Sequence, residues 1–233
     1  MITKENFKAL LEALGFTKTA NIYTKSYGNG KYTIKVDFEN SKITYLPFDE
    51  NFKEGEYPSK DNPSKGFIIH RHTTTNLDSS ENFVCLLAVD RLLSKGYEAR
   101  HIILEPTFKV GHKPQVYGDI LVLNQNFKNL VLIENKTYDK EFDKEWQNML
   151  KNGGQLFSYY AVNKTPFLCL LAYDFDFTLN KVIYKSHIIT TKDNHDHLKL
   201  INDGIEKDKQ KLGFEDPQNA NAKDYFKVWS ETY

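Results

Sequence analysis

Tyr117-Gly-Asp-Ile-Leu-Val-Leu-Asn124 and Leu130-Val-Leu-Ile-Glu-Asn-Lys-Thr137 are two apolar runs, rich in Val, Ile and Leu, separated by Gln125 to Asn129. That spacing predicts a β-hairpin inside a sheet. Asp119 sits at the start of the first strand, and Glu134 and Lys136 near the end of the second. Antiparallel pairing brings the beginning of one strand beside the end of the next, so the three polar side chains converge. Glu134 and Lys136, two apart, share a strand face. Two carboxylates and an ammonium on apolar strands are costly to bury unless they pair or bind a metal. The stretch is therefore either a structural salt-bridge cluster or an active site.

The chain has 233 residues and 40% apolar content with many aromatics, enough for a sizeable core and too apolar for a disordered chain. Lys plus Arg balance Asp plus Glu at 31 each, so bulk charge gives no vote for nucleic acid. A modest basic stretch runs from Arg91 to Lys113, and an ordinary solvated surface accounts for it. Cys85 and Cys169 lie in apolar segments, as buried thiols do, and two cysteines make no zinc motif. No apolar run has the length of a membrane span, and the start of the chain is not a signal peptide, so a cytoplasmic location is expected.

Outward from the hairpin the chain divides into three parts. Residues 1–65 are expected to form a small helix-plus-β-meander unit with a linker. Thr3 caps a helix over Asn6 to Leu14, strands follow at 21–27 and 31–38 about Gly28-Asn29-Gly30, and a third at 41–46. Residues 66–190 are expected to form an α/β core with a mixed central sheet flanked by helices. Within it, Phe67 to Arg71 reads as a strand, and Asp78-Ser-Ser-Glu81 as a capping box opening a helix over Asn82 to Lys95. Ala99 to Val110 reads as a strand. An amphipathic helix over Tyr138 to Leu150 carries Phe142, Trp146 and Leu150, and a shorter one starts at Gln155. Strands at 167–173 and 181–190 complete the core. Residues 191–233 are a polar extension with a helix expected at Asp224 to Glu231, and His195 and His197 there do not suggest a metal site.

Hydrolysis of a phosphodiester needs an activated water and neutralisation of the charge developing on phosphate, and hard Mg²⁺, which prefers oxygen ligands, serves both. Asp119 and Glu134 offer carboxylates and the main-chain carbonyl of Asn135 a third oxygen. Lys136 would orient the water or stabilise the transition-state charge. Glu81 would complete the site or support the lysine, although capping alone explains it. Gln155 would place an amide at the rim, for a phosphate or for Lys136. Glu105 reads more readily as a strand-end surface charge, and Tyr159 as core packing. An Asp followed by Glu-X-Lys is a weak signal alone. Its weight comes from the placement of each member at the end of a buried strand.

Gly118-Asp119, Ile133-Glu134-Asn135-Lys136 and Gln155-X-X-X-Tyr159 resemble the PD-(D/E)XK nuclease superfamily. More narrowly, with Glu81-Asn-Phe-Val, Gly96-Tyr97 and Glu105, they resemble the N-terminal nuclease domain of type I restriction enzyme R subunits. The resemblance spans about Ser80 to Asp174. The preceding unit and the ending Val228-Trp-Ser-Glu-Thr-Tyr233 resemble single-chain restriction-modification proteins. It implies a restriction-endonuclease-like core, catalytic roles for Asp119, Glu134 and Lys136, Mg²⁺ (or Mn²⁺) as cofactor and double-stranded DNA as substrate. A methyltransferase or helicase module would then lie on another segment or subunit, since the chain has neither a Walker A loop nor an Asn-Pro-Pro-aromatic motif. Two departures stand out: no proline precedes Asp119, and Asn135 replaces an apolar residue. The alternatives are a catalytically inactive DNA-binding or assembly domain, or a nuclease acting on RNA or structured DNA.

Overall fold

The structure, a computed structural model, describes residues 2–110, 113–152 and 154–191. Helix α1 (Lys4–Ala13) starts after Thr3, whose main-chain N–H donates to Asn6 Oδ1 at 2.8 Å. It buries Phe7, Leu10 and Leu11 against an antiparallel meander of β1 (Thr17–Thr19), β2 (Ile22–Tyr27), β3 (Tyr32–Asp37) and β4 (Lys42–Leu46). Gly28, Asn29 and Gly30 all adopt positive φ, which their residue types tolerate and the β2–β3 turn requires. Strand β1, exposed at every position and without apolar alternation, escaped the sequence pattern.

The main sheet has six strands in the order β12-β11-β10-β9-β6-β5. They are β5 (Ile68–Ile69), β6 (Ile102–Leu104), β9 (Ile120–Leu123), β10 (Asn129–Thr137), β11 (Phe167–Asp176) and β12 (Lys181–Thr190). Pairs β5–β6 and β10–β11 are parallel and the others antiparallel, so the sheet is mixed and the fold α/β, as expected. The parallel β10–β11 pair is joined through α3 (Lys140–Asn152) and α4 (Gly154–Asn163). Strand alternation divides the core in two. Ile102, Leu104, Ile120, Val131 and Ile133 pack with α2 (Ser80–Ser94), while Ile103, Leu121, Leu132, Leu168 and Leu170 pack with Phe142, Trp146, Met149 and Leu156 of α3 and α4.

The N-terminal unit shares the α2-side core across the 65/66 boundary. Phe7 stacks on Phe83 of α2 with ring centroids 4.3 Å apart, and Tyr45 contacts Phe67.

Three local expectations change. The α2 N-cap is Ser79 rather than Asp78: its Oγ accepts the Glu81 N–H at 3.2 Å, which frees the Glu81 side chain from capping. Only Ile68 and Ile69 of the strand expected over Phe67 to Arg71 join the ladder. The strand expected over Ala99 to Val110 is broken. A 3₁₀ turn at Ala99–His101 leads into β6, and the chain kinks at Glu105 (φ +50°) and Pro106. It then enters a separate two-stranded ribbon of β7 (Thr107–Val110) and β8 (Lys113–Tyr117). Proline has no N–H for the ladder, and Glu105 is turned inward by bonds described below. The helix expected at Asp224 to Glu231, the histidines at 195 and 197, the 228–233 resemblance and the Leu150 side chain lie outside the described residues. Among the described residues no helix is long and apolar enough to cross a membrane.

Candidate active site

Asp119 lies one residue before β9. The antiparallel register Ile120↔Ile133 carries it opposite Glu134 at the end of β10. The Asn135 main-chain N–H donates to Asp119 Oδ2 at 2.6 Å, locking the two strand ends together. Lys136 Nζ donates to Glu134 Oε1 at 2.6 Å and stands 3.7 Å from Glu81 Oε1, which reaches over from the first turn of α2. The hairpin thus brings Asp119, Glu134, Asn135 and Lys136 together as the strand pattern requires, and α2 adds Glu81.

The cluster is electrostatically uncomfortable. Glu134 is 3% exposed, and its Oε2 has no hydrogen-bond partner. Burial, then the neighbouring Asp119 charge, hold its carboxyl well above the usual range, with Lys136 opposing. Burial lifts Asp119 to about 6 against the lowering effect of the Asn135 N–H and Lys136. Burial works against the charge on Lys136, but Glu134, Glu81 and Asp119 outweigh it and raise its pKa. Lys136 is therefore an ammonium at neutral pH, able to donate and to offset negative charge but not to serve as a base.

Adjacent strand residues look to opposite sides. Asn135 belongs to the α2 side, where a cavity of about 250 Å³ is bounded by Thr73, Thr74, Glu81, Asn82, Cys85 and Asp119. Its amide oxygen and nitrogen are buried without partners, which carries an energetic cost. On the other side Lys136 borders a cleft with Glu141, Lys144, Glu145 and Asn148 of α3.

Gln155 is placed at the start of α4. Its side-chain amide donates to Tyr159 Oη at 3.4 Å rather than to Lys136, and its main-chain N–H donates to Glu145 Oε1 at 2.8 Å. Tyr159 packs in the core of the α3 side as expected, 7% exposed. Burial, followed by the Glu134 and Asp119 charges, raises its hydroxyl pKa. Glu105 is not a surface charge. It is 3% exposed and accepts hydrogen bonds from Thr73 Oγ1 (2.6 Å), Thr74 N (2.5 Å) and Thr74 Oγ1 (2.7 Å), while its own N–H donates to the Asp119 main-chain oxygen.

Sequence reasoning missed Glu145, one acid among several on α3, and the Thr73–Thr74 clasp, whose partner Glu105 lies 32 and 31 residues away. No local pattern marks either. Among the described residues no group of three or more His, Cys, Asp or Glu side chains has a metal-holding arrangement, so any cation here would rely on two carboxylates completed by main-chain or solvent oxygens. The chain matches no protein-family model and none of the curated proteins with which it was compared.

Proposed function

We propose that this chain is a Mg²⁺-dependent endonuclease of the PD-(D/E)XK type, hydrolysing phosphodiester bonds in double-stranded DNA as part of a cytoplasmic restriction-modification system. The observation that carries the reading is the meeting of Asp119, Glu134 and Lys136 at one sheet end, with both carboxylates lifted above their ordinary range. A purely structural salt bridge would be expected to satisfy its members. Here Glu134 Oε2 is an orphan, buried with no hydrogen-bond partner.

The donor set fits a hard divalent cation. Asp119, Glu134 and the main chain at Asn135 would hold it, and Mn²⁺ would serve in the same place. Such a cation supplies a more acidic bound water and neutralises charge on the phosphate. The residues of the chain do the rest. Glu134 Oε1 positions Lys136, whose ammonium orients the attacking water and stabilises negative charge on the phosphate oxygens. Glu81, 45% exposed and near that ammonium, limits its swing toward solvent. A methyltransferase or helicase module would supply modification or translocation.

Calorimetric titration with Mg²⁺ or Mn²⁺ tests the reading. Binding is expected in the wild type and absent in Asp119→Ala, and supercoiled DNA should be cut only by the wild type. Metal binding unchanged by Asp119→Ala, or cleavage unchanged by Lys136→Ala, refutes it. Metal-dependent binding of DNA without cleavage by the full assembly would favour an inactive assembly domain instead.

A further inference from the structure

Arg71 lies in the loop between β5 and α2, and that loop is fastened on both sides of it. On one side, His70 Nδ1 accepts the Thr107 N–H at 3.0 Å and the Gly55 N–H at 3.4 Å, while its Nε2 bonds the Glu56 main-chain oxygen at 2.8 Å. On the other, Thr73 and Thr74 donate three hydrogen bonds to the buried Glu105 carboxylate. Between these anchors the Arg71 guanidinium lies 4.0 Å from the centroid of the Tyr117 ring, a cation–π contact on a side chain that is 37% exposed.

This platform is joined directly to the candidate active site. Tyr117 ends β8, paired with Thr107 across the ribbon, and Asp119 is two residues further on. Gly118 donates its N–H to the Pro106 oxygen, and Glu105 donates to the Asp119 oxygen. Two residues span at most about 7 Å, which keeps Tyr117 and Asp119 on one patch of the surface. Among the described residues, Lys25, Lys31, Arg100, Lys136 and Lys185 are committed to carboxylates, at Asp90, Glu98, Glu98, Glu134 and Asp143 respectively. Among the described residues Arg71 forms no ion pair and no hydrogen bond. A stacked guanidinium with its donor fork uncommitted, on a backbone held in place before binding, is suited to the two oxygens of a phosphate.

We infer that Arg71, steadied by Tyr117, binds a backbone phosphate of the DNA strand beside the one that is cut. The inference rests on the nuclease reading and adds a substrate-positioning residue to it. Arg71 touches the flanking phosphate, and the chemistry stays with Lys136 and the carboxylates.

The test is anisotropy of a fluorescein-labelled DNA duplex with the Lys136→Ala protein in Mg²⁺, across a salt series, with and without Arg71→Ala. The expected result is about tenfold weaker binding and a log–log salt slope shallower by about one. Arg71→Lys should keep the slope and lose part of the affinity, because an ammonium replaces the charge but not the fork. Tyr117→Phe should behave as the parent. In the cleaving protein Arg71→Ala should raise KM and leave kcat within about twofold. Unchanged affinity and slope overturn the inference while leaving the nuclease reading in place, as does weaker binding with an unchanged slope, which indicates a structural role. A protein that binds and cuts no duplex DNA overturns both. A salt-slope change seen with an RNA duplex and not with DNA overturns the choice of DNA.

Discussion

Helix α2 meets buried carboxylates near both its ends, and the two settings differ in how completely they are satisfied. Toward its C-terminal end, its own Asp90, 6% exposed, accepts from Lys25 Nζ and Tyr27 Oη, each at 2.6 Å. That cluster fastens the N-terminal meander to the α/β core. Near its N-terminal end, Asp119 and Glu134 are partly paired, leave an orphan oxygen, and titrate above their ordinary range. A buried charge supplied with donors holds elements together. One left short of donors destabilises the fold and is retained where a cation or substrate completes it.

The largest expected effect separates the two clusters by function. Lys136→Ala or Glu134→Gln should reduce DNA cleavage by about 10²- to 10⁴-fold, read as kcat under single-turnover conditions. Asp90→Ala should leave kcat per folded molecule unchanged, and a matching loss there would erase the contrast. Next comes stability. Asp90→Ala should lower the unfolding free energy by about 3 kcal/mol in denaturant titrations, the lower end for breaking a buried pair, because Lys25 keeps some solvent contact.

Asp119→Asn should do the opposite and raise the unfolding free energy at pH 7.5 while abolishing cleavage. The carboxyl moves from its ordinary 3.8 to about 6 on folding, so above pH 6 the folded state bears the cost of a desolvated charge that asparagine lacks. That rise bounds the gain at about 3 kcal/mol, and retention of the Asn135 bond should hold the strand ends in place. A destabilised Asp119→Asn would make the site a structural pair after all.

The smallest effect concerns the anchored loop. Burial lowers the His70 pKa, and its Nδ1 is already used as an acceptor. The unfolded state therefore binds more protons, and the His70 contribution to stability is complete above its unfolded pKa of about 6.5 and is lost as pH falls below it. Melting temperatures measured from pH 7.5 to 5 should fall more steeply in the wild type than in His70→Gln. Parallel curves would remove His70 from the account.

The convergence of Asp119, Glu134 and Lys136 was legible because it depends on a single hairpin. Strand alternation and antiparallel register are local rules, and residues 119 to 136 contain everything needed to apply them. The same holds for α1, the β2–β4 meander and the existence of strands β10 and β11, whereas the parallel pairing of those two strands came only with the structure. The break at Glu105 was not legible, because an apolar run reads as one strand until a distant partner captures a side chain within it. Nor was the Ser79 cap, since Asp78 and Ser79 are equally good acceptors and only the approach of the chain chooses between them.

The amino-acid sequence by itself determined the α/β class, the strand-end carboxylates and the lysine that follows Glu134 on the same strand face, because those follow from patterns spanning a few neighbouring residues. Tertiary structure alone decided which side of the sheet α2 covers, that Glu81 reaches Lys136, that Glu105 clasps Thr73 and Thr74, and that Arg71 lies on Tyr117. Each of those contacts joins residues tens of positions apart. Such pairings are selected by the packing of whole elements on one another, and no short stretch of the chain encodes that packing.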